Sequence, residues 1–210
     1  KQHNKKITLI TDKEYYNAAR NIVWDKYDIV VRPVDKRENY IKRCVAIAGD
    51  TLLIQNGDLF VNGQKQKYIP TRQFHHRVVT DGSVIPTSIL KEYDIYLSEV
   101  KNIQSYLPEL YPMTEENAEK FKEMKVVKHI SRYTQSKGDR DYRVFPHSDK
   151  YQWNNDWFGP LWIPKAGETI DLNLDILPLY ERVIGYYENN DLKVIGDKIY
   201  INGEIAEKYT

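Results

Sequence analysis

The chain has 210 residues, long enough for one large domain or two small ones around a sizeable core. Lys and Arg number 31 against 30 Asp and Glu, a net charge of +1, so charge gives no reason to expect nucleic acid or an anionic surface as the main partner. Cys44 is the one cysteine, which excludes an intrachain disulfide and a cysteine-based metal site, and no run approaches the ~18 apolar residues of a membrane span.

In chain order, residues 6–10 read as a short strand, and Asp12 is placed to cap a helix through Tyr15, Ala18, Ala19 and Ile22. The period then changes to two: residues 28–32 predict a strand ended by Pro33, and residues 40–47 another, closed by a turn at Gly49-Asp50. Residues 52–63 predict a β-hairpin with Asn56-Gly57 as its turn, and residues 192–203 repeat the pattern down to a second Asn-Gly. Between them, residues 86–91 suggest a short helix and Thr114 opens a better one to Met124, its acidic first turn matched to the helix dipole. Residues 135–141 read as a polar loop, and Asn173 or Asp175 could cap a last helix reaching Tyr187. With 17 Tyr and 4 Trp also leaning towards strands, the expected fold is mainly β with inserted helices, an α+β class. A soft boundary near residue 70 divides it into 1–70 and 71–210.

The stretch with chemical content is Tyr40-Ile41-Lys42-Arg43-Cys44-Val45-Ala46-Ile47-Ala48-Gly49-Asp50. On a strand, Tyr40, Lys42, Cys44 and Ala46 share one face, so Lys42 stands among aromatic and small side chains without a carboxylate. Partial burial there would disfavour the ammonium and suit a general base; the alternative is an edge charge that blocks sheet-to-sheet pairing.

These residues resemble the lysine-strand signature of bacterial type I signal peptidases, Tyr-Ile-Lys-Arg-x-Val-Gly-x-Pro-Gly-Asp. The resemblance implies a coiled β-sheet domain in which Lys42 is the general base of a Ser/Lys dyad, with Gly49 and Asp50 as the structural turn of the motif. Residues 28–33 look like the family's preceding strand, and Phe158-Gly159-Pro160-Leu161-Trp162-Ile163-Pro164 resembles enlarged members with a long insertion. On this reading residues 1–70 are part of the catalytic core, and 71–210 an inserted region ending in the second hairpin. Ala46 and Ala48 replace the signature's Gly and Pro, which changes the turn without removing a reacting group.

The family's serine motif, Gly-Ser-Met-x-Pro-Thr, does not occur in residues 1–41, and its closing Gly-Asp-Asn-Arg would begin near Thr210. With the start at Lys1, this reads as a piece cut from a longer, membrane-anchored enzyme and inactive by itself. The implied partners are signal-peptide-bearing precursors and, through an anchor, the inner membrane on its periplasmic side; no metal, cofactor or nucleic acid is implied. The competing class is a non-catalytic β-rich binding module of the cell envelope.

Other matches have plainer readings. Gly82-Ser83-Val84-Ile85-Pro86-Thr87 has the serine-motif spacing but follows the lysine, and Asp81-Gly82 is a turn signal. Ser83 as nucleophile therefore stands as a second enzyme reading. Gly138-Asp139-Arg140-Asp141 and His147-Ser148-Asp149 read as loops, His75-His76 as a surface pair, and Trp153, Trp157 and Trp162 as packing.

Overall fold

The computed structural model describes residues 12–38, 41–67, 69–105 and 107–210, with the backbone alone for 12–16 and 34. The chain forms two units, Lys1–Arg43 and Cys44–Thr210.

The first unit carries helix α1 (Asp12–Lys26), whose middle is built from the helix-favouring Ala18-Ala19-Arg20, and a 3-10 turn at Val34–Lys36. The strand expected at 6–10 lies outside the described residues. Residues 28–32 form no strand, and neither do 41–47, where Tyr40 is outside the description. Strand propensity is a fit to neighbouring strands, and no described segment pairs with either stretch. Val30, Val31, Ile41 and Ile47 accordingly remain exposed.

The second unit opens with β1 (Thr51–Gln55), β2 (Asp58–Val61) and β3 (Gln64–Lys65), an antiparallel meander. Asn56 and Gly57 have φ of 51° and 75°, the two positive values that a type I′ turn requires. A second sheet with its helices follows. Strand β4 (Gln73–Thr80) leads through α2 (Thr87–Glu92) and α3 (Leu97–Gln104) to β5 (Leu110–Thr114), α4 (Glu115–Lys122) and β6 (Val127–Arg132). The sheet is ordered β5-β4-β6, and Val78, Leu90, Ile95, Val100, Met113 and Phe121 fill its core. Full burial of Phe121 alone contributes about 2–3 kcal/mol. Helix α4 starts as expected, with Thr114 Oγ1 accepting the Asn117 N–H at 3.2 Å.

Strand β7 (Trp157–Trp162) then returns to the first sheet and pairs with β1, giving the order β3-β2-β1-β7. Gly159 makes this possible: a Cβ there would lie 2.6 Å from the Leu52 carbonyl oxygen. After β8 (Ile170–Asp171), Asn173 Oδ1 accepts the Asp175 and Ile176 N–H groups in the turn that leads into helix α5 (Leu177–Arg182), whose N-cap, Ile176, makes no side-chain cap bond. A π-helical turn, Val183–Tyr187, feeds β9 (Leu192–Ile195), β10 (Lys198–Ile201) and β11 (Glu204–Ile205), and β12 (Lys208–Tyr209) pairs with β8. Ile170, Leu172, Leu177, Ile184 and Ile199 form the second core. Helix and strand contribute about equally, so the fold is α+β. No described helix is long and apolar enough to cross a membrane.

Candidate functional site

Lys42 is exposed, and no hydrogen bond or ion pair engages its ammonium among the described residues. The partly buried strand expected around it is not formed. Its neighbour Cys44 is also exposed and donates its thiol to the Ala46 carbonyl at 3.3 Å.

The turn at Gly49-Asp50 is closely specified. Gly49 has φ +94°, which favours glycine, and the end of the Lys165 side chain lies where a Cβ would be. Its N–H donates to the Ile163 carbonyl at 2.6 Å, and Ile163 N–H donates back to the Asp50 carbonyl at 2.9 Å. The Asp50 carboxylate accepts the Ile47 N–H at 2.9 Å and the Asn62 amide at 2.8 Å, while Asn62 Oδ1 accepts the Thr51 N–H. The Ile47 N–H first, then Asn62, and more distantly Lys165, hold the Asp50 carboxyl below its usual range. Asp50 thus ties the end of the lysine segment to the far end of the β1–β2 meander.

The Asn56-Gly57 turn is clasped by residues that sequence inspection did not single out. Arg132 donates to the Asn56 carbonyl from 76 residues away, Thr134 Oγ1 donates to Asn56 Oδ1, Arg72 donates to the Gly57 carbonyl, and Gly57 N–H donates to Asp156 O. Arg72 and Arg132 both stack on Phe74, with guanidinium carbons 4.4 and 3.5 Å from the ring centroid. Arg132 Nε is buried without a hydrogen-bond acceptor among the described residues. Burial acts to raise the Asp58 pKa, but Lys65, Arg132 and Arg72 outweigh it and the net shift is down.

The loop that carries Thr134 and Asp156 is organised by the fully buried Asn154. Its amide donates to the Ser136 and Asp139 carbonyls and accepts from the Asp156 and Trp157 N–H groups. Beside the clasp lies an open cleft of about 840 Å³, whose walls include Ile54, Phe74, His75, Tyr133, Asn155 and Asp156. The His75 ring reaches solvent there, yet desolvation by its surroundings lowers its pKa, with Asp156 opposing.

The remaining candidates are structural. Ser83 lies in an Asx turn where its N–H donates to Asp81 Oδ1 at 3.0 Å, and its hydroxyl also bonds that carboxylate. His75 and His76 face opposite sides, but His76 is buried rather than a surface residue, its Nε2 3.3 Å from Glu115. Core burial of β4's inward face decides this, since His76 alternates with Val78. Arg143 grips Asp141 through both guanidinium and backbone N–H and pulls its carboxyl down to about 2. His147 Nδ1 engages the Tyr142 carbonyl and Asp149 pairs with Arg140, so neither completes a triad with Ser148. Trp153 packs on Tyr151 and Phe158, and Trp157 Nε1 donates to the Gln135 carbonyl. Among the described residues no group of three His, Cys, Asp or Glu is arranged to hold a metal ion.

Comparison with known proteins places this geometry. The family described as signal peptidase, peptidase S26, matches residues 3–137. The chain is also similar to "Signal peptidase I" of Bacillus caldolyticus, 31% identical over 67 residues that cover 32% of this chain and 36% of that protein. The chain therefore spans just over a third of that relative's length. No solved structure matches. The family match takes in Lys42, Gly49, Asp50 and the first hairpin and extends over more than half of the sequence; the chain belongs to the signal peptidase family, peptidase S26.

Proposed function

We propose that this chain is the lysine-bearing, extracytoplasmic part of a membrane-anchored signal peptidase that removes signal peptides from secreted precursors. The reading is carried by one observation: Lys42-Arg43 and the turn Gly49-Asp50 lie together inside the family match, with Asp50 locked to Asn62. Lys42 acts in its neutral form as the general base. It takes the proton of a serine hydroxyl supplied from outside these residues, and the freed oxygen attacks the scissile carbonyl. Collapse of the tetrahedral intermediate breaks the C–N bond, and the proton passes from Lys42 to the leaving amine. Lys42 then deprotonates a water that releases the acyl group, and the serine recovers its proton.

The substrate binds as an extended strand with small residues beside the cut, on the periplasmic face of the inner membrane. The dyad itself requires no metal or cofactor. On this reading the serine is supplied from outside these residues, and the 210-residue chain by itself is expected to be inactive.

Lys42→Ala in the full-length protein tests this. Cleavage of a precursor in liposomes is expected to fall about 1,000-fold with the circular dichroism spectrum unchanged. Normal processing by the variant would leave Lys42 a surface charge and put the binding-module reading first. Cleavage by the 210-residue chain alone, abolished by Ser83→Ala, would instead make Ser83 the nucleophile.

A further inference from the structure

The β9–β11 meander repeats the β1–β3 meander closely enough to show what is missing beside it. Asn202 occupies the place of Asn62. Its Oδ1 accepts the Asp191 N–H at 2.9 Å, its amide donates to Asn190 Oδ1 at 2.8 Å, and its N–H donates to the Asp191 carbonyl at 2.9 Å. Asn62 makes the same three bonds to Thr51 and Asp50. Asn62 and Asn202 have φ of 53° and 54°, and each is followed by a positive-φ glycine. Leu52 and Ile54 thus correspond to Leu192 and Val194.

In the first copy, the backbone of Leu52 and Ile54 faces outward and meets β7, in the register Leu52↔Leu161 and Ile54↔Phe158. In the second copy β9 is the last strand of the order β11-β10-β9. Pairing alternates along an antiparallel ladder, and Asn202 N–H to Asp191 O sets the phase, so Lys193 and Ile195 bond to β10 while Leu192 and Val194 point their N–H and C=O groups away. Those groups have no partner among the described residues. Ile54 is half-buried, whereas its counterpart Val194 is 48% exposed. Lys193, the residue type that usually guards an open edge, has its ammonium held by Asp191 at 2.5 Å. Exposed Tyr186 and Tyr187 follow Gly185, which abuts Leu192.

We propose that the outer edge of β9 is a strand-addition site that binds an extended apolar polypeptide segment antiparallel, as β1 binds β7. The first copy specifies the occupant's chemistry, since the strand seated there presents Trp157, Phe158, Leu161 and Trp162. Taking that segment to be the apolar part of a secreted precursor rests on the peptidase reading. The edge then holds a precursor at a place separate from the bond that is cut.

The test is hydrogen exchange of the full-length protein with and without a soluble peptide that carries a lysine pair, a Leu/Val run and a small-residue end. Leu192 and Val194 amides already slow without the peptide would overturn the proposal, since another part of the protein would then cover the edge. The Leu192 and Val194 amides are expected to slow about tenfold with this peptide and not with a Gly/Ser peptide of equal length. Val194→Pro removes an N–H that β10 does not use, and it should abolish the protection while the β9–β10 amides stay slow. If that variant loosens the hairpin, Val194→Lys tests the same edge with the backbone intact and should also abolish it. Protection that persists in both variants, protection confined to the cleft beside Phe74, or slow edge amides that depend on protein concentration alone would each overturn the proposal. Failure of the peptidase reading looks different: the peptide protects β9 but the full-length protein leaves precursors uncut. Failure of the edge proposal leaves cleavage intact without protection at β9.

Discussion

In the β1–β2 hairpin the turn Asn56-Gly57 is gripped by Arg72, Arg132, Thr134 and Asp156, and β7 covers the outer strand. In the β9–β10 hairpin the turn is Gly196-Asp197, a Cβ on Gly196 would meet nothing within 4 Å, and among the described residues no strand lies outside β9. Even the turns differ in type. Asn56 and Gly57 both have positive φ, the type I′ pattern, whereas only Gly196 does in the second copy, as in a type II′ turn. The Asn62 and Asn202 locks are nevertheless alike bond for bond. The difference teaches that a hairpin's closure is local, while the demands on its tip and edge come from what packs there.

Substitutions at matched positions sharpen that contrast. The largest difference is expected between Gly57→Ala and Gly196→Ala. At Gly57 the new methyl would lie 2.5 Å from Arg132 Nη2 and 3.0 Å from Asp156 Oδ1 at a φ of +75°. Backbone strain and displacement of Arg132 together should cost about 3 kcal/mol, against about 1 kcal/mol at Gly196, where strain acts alone. Urea titration of the two variants measures this, and equal losses would mean that the clasp contributes nothing. Asn62→Ala and Asn202→Ala should each cost about 2 kcal/mol, from two lost side-chain hydrogen bonds and a residue forced to positive φ. A large inequality between them would break the equivalence of the two locks. Thr134→Val removes one bond to Asn56 and should cost about 1 kcal/mol, read as faster exchange at the first hairpin only.

Acid should separate the copies most gently. Where the first has Asp50, the second has Asn190, which does not titrate. The folded pKa of Asp50 lies below its ordinary value of 3.8, so its contribution is present above that value and lost as pH falls through the lowered one. Below about pH 4 the Ile47 and Thr51 amides are expected to exchange faster than Asp191, and Asp50→Asn should remove the difference. Asp141 behaves with the same sign. Its stabilising grip on Arg143 is held at neutral pH and lost between its ordinary 3.8 and the folded value of about 2.

What could be read from sequence followed how local each determinant is. Asn56-Gly57, the two Asn-Gly ends, the Thr114 cap and α1 are encoded within a few residues and appear where expected. Local alternation also predicts strands at 28–32 and 40–47, but among the described residues 28–32 and 41–47 form none, because a strand needs a neighbour that local pattern does not supply. His76, expected at the surface, is buried because β4 turns that face to the core, and its partner Glu115 lies 39 positions away.

For the site, the order Lys42, Gly49, Asp50 is written in the chain, and so is membership of the family. The function of Asp50 as a lock and the Arg72–Phe74–Arg132 stack over the first turn are not, because each joins residues far apart along the chain. By itself the sequence determined the turns, caps and repeated hairpins, since backbone conformation at Gly and Asn is a short-range matter. Only the tertiary structure decided which hairpin is covered and which edge stays open, since burial and strand pairing are settled by whichever segment arrives from elsewhere.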